Sequence, residues 1–264
     1  MTLTAERPCL LGNESELRTA YKPPNANVLA KDIGRIDQHF RRFIELSPFV
    51  CMGTSGPDRS CDVSPRGGEP GFVHVLDETT LAMPDRPGNN RLDSLTNIVS
   101  GSGVGLLFLI PGFGDTLRVN GVARISTDPA LVERFRIDGK APLSVIVIEV
   151  KEIYLHCPKA LVRSRLWDPE ARQDREAFPS AGTIYRDQLA LKPDATAIDA
   201  VLDQDTRDIL LAHAREDAAH ALANSYSALR ELRSMRKIVV RFFVGVAAVA
   251  VVVIVLAVGV LAGR

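Results

Sequence analysis

Apolar residues recur every three or four positions across residues 28–46 (VLAKDIGRIDQHFRRFIEL), with Ile33, Ile36, Phe40, Phe43 and Ile44 on one side. That spacing predicts an amphipathic helix, ended by Ser47-Pro48. The pattern then changes to short apolar runs of strand length: FVCMGT (49–54), CDVS (61–64), FVHVL (72–76) and TLAMP (80–84). The turn-forming segments SGPD, PRGGEPG and DET separate them, so they read as an antiparallel meander.

A helix is expected from about Asn89 to Val99, followed by strands at 104–110 (VGLLFLI) and 116–125 (TLRVNGVARI) joined by PGFGD. VGLLFLI is apolar on both faces, as a central strand would be. Asp128 and Pro129 open a further helix over 128–137. LSVIVIEV (143–150) and IYLHC (153–157) read as the last strands, and PKALVRSRLW (158–167) as a helix. Six or more antiparallel strands with few, short helices predict a mainly β (α+β) fold, a small barrel with peripheral helices. The chain does not alternate β and α, which disfavours a Rossmann domain.

The C-terminal part follows another pattern. Residues 205–236 place Leu211, Ala214, Ala218, Leu222, Leu229 and Leu232 at spacings of three and four, a helix with one soft face. A short coiled coil and a weakly packed stalk both fit, and His213 and His220 read as surface residues. From Phe242 to Ala262 no side chain is charged or strongly polar. A bilayer span needs about 20 apolar residues, and a buried core helix would keep a polar stripe, so a membrane span is expected. Arg230, Arg233, Arg236, Lys237 and Arg241 precede it and Arg264 alone follows, which predicts a C-terminal anchor with the N-terminal part cytoplasmic. The expected organisation is an N-terminal segment and helix (1–46), a barrel domain (47–170), a linker (171–204), a stalk (205–237) and a transmembrane anchor (238–262).

Charge and cysteines narrow the function. The 32 basic and 32 acidic residues cancel, which argues against a nucleic-acid partner and makes any anion site local. Cys9, Cys51, Cys61 and Cys157 show no C-x-x-C spacing, so no metal site is expected and the thiols read as small buried hydrophobes in a reducing compartment. Residues 1–20 contain no continuous apolar segment of the kind a secretory signal has. GSGVG (101–105) follows a helix and opens a strand, the reverse of a dinucleotide-binding loop. GFGD (112–115) fits a hairpin.

The junction PDRPGNNRLDSL (84–95) carries the strongest chemical signal. A strand ends at Pro84 and the expected helix begins near Asn89 or Asn90, whose free N–H groups would attract an anion. Arg91 in a first helical turn opposes the helix dipole unless a phosphate occupies the site. Equally, Arg86 and Arg91 could simply pair with Asp85 and Asp93.

The ordered motifs SPFVCMGT, CDVSPRGG, TLAMPDRPGNNRLDSLTNI, LRVNGVARI and YLHCPKALVRSRLWDP resemble the pyridoxamine 5′-phosphate oxidase-like FMN-binding split-barrel family over about Leu29–Pro169. The resemblance implies a six-stranded antiparallel split β-barrel, a homodimer, and FMN at the subunit interface. It implies that Ser64 and Arg66 lie beside the ribityl chain and phosphate, that the Met83 and Pro84 backbone contacts the ring, and that Asn90 and Arg91 take the phosphate. It places Arg118 and Asn120 near the ring, and assigns Lys159, Arg163 and Trp167 to the segment lent by the second subunit, where Trp167 could instead pack at the dimer interface. The chain lacks the arginine-rich C-terminal substrate motif of true pyridoxamine-phosphate oxidases.

Two functions are therefore expected as alternatives. One is a membrane-tethered FMN-dependent oxidoreductase acting on a small-molecule redox substrate, with no catalytic acid or base assigned. The other is a binding protein that holds FMN, a deazaflavin or haem without turnover, with His74 and His156 as the available haem ligands.

Overall fold

The computed structural model describes residues 10–137, 139–192, 194–204, 206–207, 209 and 211. The chain divides into two compact units, Met1–Arg172 and Gln173–Arg264. The predicted stalk lies outside the described residues apart from residues 206, 207, 209 and 211, which are helical, and the span at 238–262 lies wholly outside them. Among the described residues no helix is long and apolar enough to cross a membrane.

In the first unit, helices α1 (Glu14–Ala20) and α2 (Ala26–Leu29) precede α3 (Gln38–Leu46). The helix predicted over 28–46 is thus split. Gly34 adopts φ +63°, a left-handed conformation that interrupts a helix, and Asp37 restarts it by accepting the N–H groups of His39 and Phe40. Asp32, in the gap, accepts the backbone N–H of Ile153 at 2.9 Å and ties this segment to the sheet.

Seven antiparallel strands follow: β1 (Phe49–Ser55), β2 (Cys61–Gly67), β3 (His74–Val75), β4 (Thr80–Asp85), β5 (Gly103–Leu109), β6 (Thr116–Ser126) and β7 (Ser144–His156). They form one sheet in the order β2-β1-β5-β6-β7-β4-β3, which is not closed by hydrogen bonds. The open sheet is consistent with the expected split barrel, with seven strands in place of six. The run at 72–76 supplies only the two residues of β3, while the segments at 143–150 and 153–157 are one continuous strand. Its polar interruption, Lys151-Glu152, sits at a register shift opposite Asn120/Gly121, a β-bulge that lets a strand accommodate an extra residue without ending.

Alternation sets the core. Val50, Met52, Val104, Leu106, Phe108, Leu117 and Val119 point to one face and are buried with Ile146, Ile148 and Ile153. Helix α4 (Asp93–Val99) packs Ile98 into this core. Pro65 and Pro84 are tolerated for positional reasons: Pro65 lies on the edge strand β2, and β3 pairs with β4 only at Leu81 and Ala82, short of Pro84. Helices α5 (Pro129–Glu133) and α6 (Lys159–Ser164) are shorter than predicted. Asp128 caps α5 as expected, accepting the Ala130 N–H at 2.8 Å.

In the second unit, α7 (Ala181–Leu189) is capped by Ser180, which accepts the Thr183 N–H. The Gly182 N–H donates to Asp199 at 2.7 Å, fastening α7 to residues 195–204, which are helical.

Candidate functional site

The edge strand β2 and the strand β4, next to the other edge, approach each other through side chains. On β2 the inward row is polar, Asp62, Ser64 and Arg66, where an ordinary barrel strand would present apolar groups. Arg66 reaches across to the end of β4, its Nη1 donating to Asp85 at 2.7 Å and its Nε to Ser64 Oγ at 3.2 Å. Both charged side chains are largely buried, 19% and 16% exposed. Ser64 Oγ lies 3.3 Å from Ser94 Oγ on α4.

Helix α4 is anchored to the same strands by Asn97, whose Nδ2 donates to Thr54 Oγ1 at 3.0 Å and to Asp62 Oδ2 at 2.8 Å. These bonds satisfy a buried amide and fix the helix over the inward row of β2.

Between β2, α4 and the β4–α4 loop lies a cavity of about 480 Å³, lined in part by Ser64, Arg66, Arg86, Asn90, Arg91 and Ser94. A neighbouring cavity of about 340 Å³ shares Ser64, Arg66 and Arg86 with it and adds Phe72 and Pro84. Both fall within the roughly 300–1,000 Å³ of small-molecule sites.

The loop geometry corrects the reading of Arg91. The helix begins at Asp93, not near Asn90; Asn90 and Leu92 both adopt left-handed φ, 57° and 62°, and Leu92 makes no capping bond. Arg91 therefore precedes the helix, opposes no dipole, and pairs with Asp93 at 2.5 Å on the surface. Asp85 is taken by Arg66, not by Arg86. Arg86, partly buried, has no ion-pair partner among the described residues. It is the uncompensated cation of the cavity, because Asp85 and Asp93 are each bound to an arginine and Asp62 accepts from Asn97.

Of the expected site residues, Ser64, Arg66, Asn90 and Arg91 thus line one cavity and Pro84 the adjoining one. Met83, expected to contribute its backbone, has its side chain fully buried in the core and is not among the residues lining either cavity. Arg118 and Asn120 lie on the other face of β6 from Leu117 and Val119. The Arg118 guanidinium stands 5.6 Å from the Tyr154 ring centroid, and Asn120 Nδ2 donates to Glu152 at 2.6 Å. Lys159 and Arg163 are exposed on α6, and Trp167 Nε1 donates to the Phe113 carbonyl of its own chain at 2.7 Å. None of these five lines the two cavities. The sequence reading missed Asp85, Arg86, Ser94 and Asn97; the i, i+2 polar row of β2 was the signal that the inner face there is a site.

Three of the cysteines also differ from expectation, while Cys9 lies outside the described residues. Cys61 and Cys157 are exposed and Cys51 is partly buried, because Cys51 and Cys61 alternate outward on β1 and β2 and Cys157 follows the end of β7. Among the described residues no cluster of His, Cys, Asp or Glu could hold a metal ion. His74 stacks on Phe135 at 4.1 Å, and His156 meets Tyr154 edge-on at 5.7 Å.

Residues 36–157 match the family model described as pyridoxamine 5′-phosphate oxidase. No curated protein matches the chain. Solved structures similar to it include HupZ from Group A Streptococcus, at 20% identity over 46% of this chain and 93% of that one, TM-score 0.37. A protein related to general stress protein 26, of the pyridoxinephosphate oxidase family, from Clostridium acetobutylicum matches at 14% identity over 46% and 91%, TM-score 0.35. An F420 reductase matches at 17% identity over 46% and 98%, TM-score 0.33.

Proposed function

Residues 36–157 belong to the pyridoxamine 5′-phosphate oxidase-like family, and from that premise we propose that the chain is an FMN-binding flavoprotein of the oxidoreductase class. The observation that carries the reading is the cavity between β2 and α4, where Arg66, Arg86 and Arg91 surround the hydroxyls of Ser64 and Ser94. That donor set suits a phosphate: guanidiniums pair with its oxygens in two-point fashion, and hydroxyls complete the shell. Arg86 supplies the charge that the ion pairs of Arg66 and Arg91 have already spent internally, while Asn90 offers an amide beside it.

Bound there, FMN would supply two-electron transfer at the N5 edge of its ring. The protein's part is to bind and orient. Arg66, held by Asp85 and Ser64, is pre-positioned and loses little side-chain freedom when an anion arrives. Pro84 and Phe72 give the adjoining cavity a flat apolar wall, and Val63 and Leu143 at the first cavity's rim are 74% and 81% exposed. Arg118, Asn120, Lys159, Arg163 and Trp167 would contribute only to a flavin bound at a second subunit, so the proposal includes a homodimer. It also includes a membrane tether through 238–262, since residues 242–262 carry no charged side chain and no polar stripe of the kind a buried core helix keeps.

The test is the absorbance spectrum of purified full-length protein, as isolated and after FMN reconstitution. Twin flavin bands are expected, and their absence in both samples ends the proposal. With flavin bound, Arg86→Ala and Arg91→Ala separate the two phosphate donors. Loss of one charged hydrogen bond weakens FMN binding about ten-fold or more, and an unchanged Kd for Arg91→Ala leaves that residue a surface partner of Asp93. Flavin that NAD(P)H cannot reduce marks a carrier or binding protein.

A further inference from the structure

Arg86 also borders a third, smaller cavity of about 180 Å³, on the far side of Phe72. Its wall is formed by Phe72, His74 and Phe135, with Arg134 and Arg136 from the segment after α5 and Glu69 from the β2–β3 loop. The site is built from three separate parts of the chain. The stacked rings of His74 and Phe135 lie 23° from coplanar, and Phe135 is buried at 4% exposure, so this wall is flat and fixed.

The charges there do not balance. Arg136 is neutralised by Glu133, on which it makes two hydrogen bonds of 2.6 and 2.8 Å. Arg86 and Arg134 have no ion-pair partner among the described residues. Against them stands the single carboxylate of Glu69, so the described side chains facing the cavity leave a surplus of one positive charge. While no phosphate occupies the adjoining cavity, that surplus matches a monoanion; Arg86 is the guanidinium the two sites share. The small volume admits a carboxylate with part of a flat body, whose remainder would extend past Phe72 into the adjoining cavity that Arg86 shares.

We propose that Arg86, Arg134 and the His74–Phe135 wall form a second subsite, which recognises the carboxylate of a small planar organic acid. The burial of His74 and the neighbouring Arg134 hold its imidazole below the ordinary range, in the neutral form, so the ring serves as a stacking and hydrogen-bonding surface at neutral pH. Calling this acid the redox substrate rests on the flavin reading; the existence of the subsite does not.

Benzoate is the probe and benzyl alcohol its neutral control, titrated into full-length protein by calorimetry. Saturable benzoate binding is expected, with no binding of the alcohol. Arg134→Gln should raise the benzoate Kd about ten-fold or more while FMN affinity stays unchanged, and Arg86→Gln should weaken both ligands. The ring protons of His74, assigned with His74→Gln, should shift on benzoate addition. Benzoate affinity indifferent to Arg134→Gln, or equal binding of benzyl alcohol, overturns the subsite. Benzoate binding that depends on Arg134 in a protein that takes up no FMN upholds the subsite and refutes the flavin reading.

Discussion

The Arg66–Asp85 pair shows how one contact serves both stability and site geometry. Its members are 19% and 16% exposed, so each charge is mostly desolvated and depends on the other. Arg66→Ala would leave the Asp85 carboxylate without its partner. A hydrogen bond to a charged group is worth about 1.5–3 kcal/mol, so urea unfolding should show a loss of that order, and Asp85→Asn in the Arg66→Ala background should recover part of it. Equal stability of Arg66→Ala and the wild type would mean that water replaces the guanidinium. His74 offers a second residue-scale test. Its folded pKa lies below the ordinary 6.5 because burial, and then Arg134, disfavour the imidazolium. The unfolded chain therefore binds the extra proton first. The stabilising contribution is present above about pH 6.5 and is lost as pH falls through that value towards the folded pKa. The melting temperature of the wild type should drop more between about pH 7.5 and about pH 5.5 than that of His74→Gln. Parallel pH profiles would show that the ring titrates as it does in the unfolded chain.

At the level of elements, α4 determines how the cavity is held, through Asn97 and Ser94. Asn97→Leu keeps the branched shape of the side chain but removes the donor to Thr54 and Asp62, leaving two acceptors unmatched at the helix–strand contact. An unsatisfied buried polar group costs about 1–3 kcal/mol; the same variant should also weaken FMN binding, because α4 carries Ser94 into the cavity. Stability lost with FMN affinity intact would make Asn97 a purely structural tie. Gly121 is required by close approach: a Cβ there would run into the backbone carbonyl of Glu149. The strands were legible in the sequence because burial on one face imposes alternation, as in Val50, Met52 and Thr54 of β1. Two features were not. The start of α4 was hidden because left-handed conformations at Asn90 and Leu92 are imposed by the loop's path, and nothing in leucine's own preferences announces φ +62°. The continuity of β7 was hidden because a bulge lets the polar pair Lys151-Glu152 sit inside a strand. Candidate residues close in sequence, such as Asn90 and Arg91, could be read from one junction. Arg86 could not, since its importance depends on Arg66 arriving from β2 to claim Asp85.

At the scale of the whole molecule, the first unit and the C-terminal sequence point to different environments, and their separation is testable. The family segment and all three cavities lie within residues 36–157. Residues 242–262 have no charged side chain over 21 positions, while Arg230, Arg233, Arg236, Lys237 and Arg241 crowd the preceding stretch. On the proposed tether, a basic flank of this kind would hold to an anionic cytoplasmic leaflet, and a charge-free run of that length would reach across the roughly 30 Å hydrocarbon core as a helix. The full-length protein should therefore remain in the membrane pellet through an alkaline carbonate wash, which strips proteins held by charge alone. A chain ending at residue 237 should leave the pellet with its flavin spectrum unchanged, because no residue of the cavities is removed. If the full-length protein is released by carbonate, the tether is electrostatic and the apolar segment does not span the bilayer. If the shortened chain loses flavin as well as the membrane, then residues 238–264 contribute to holding the cofactor.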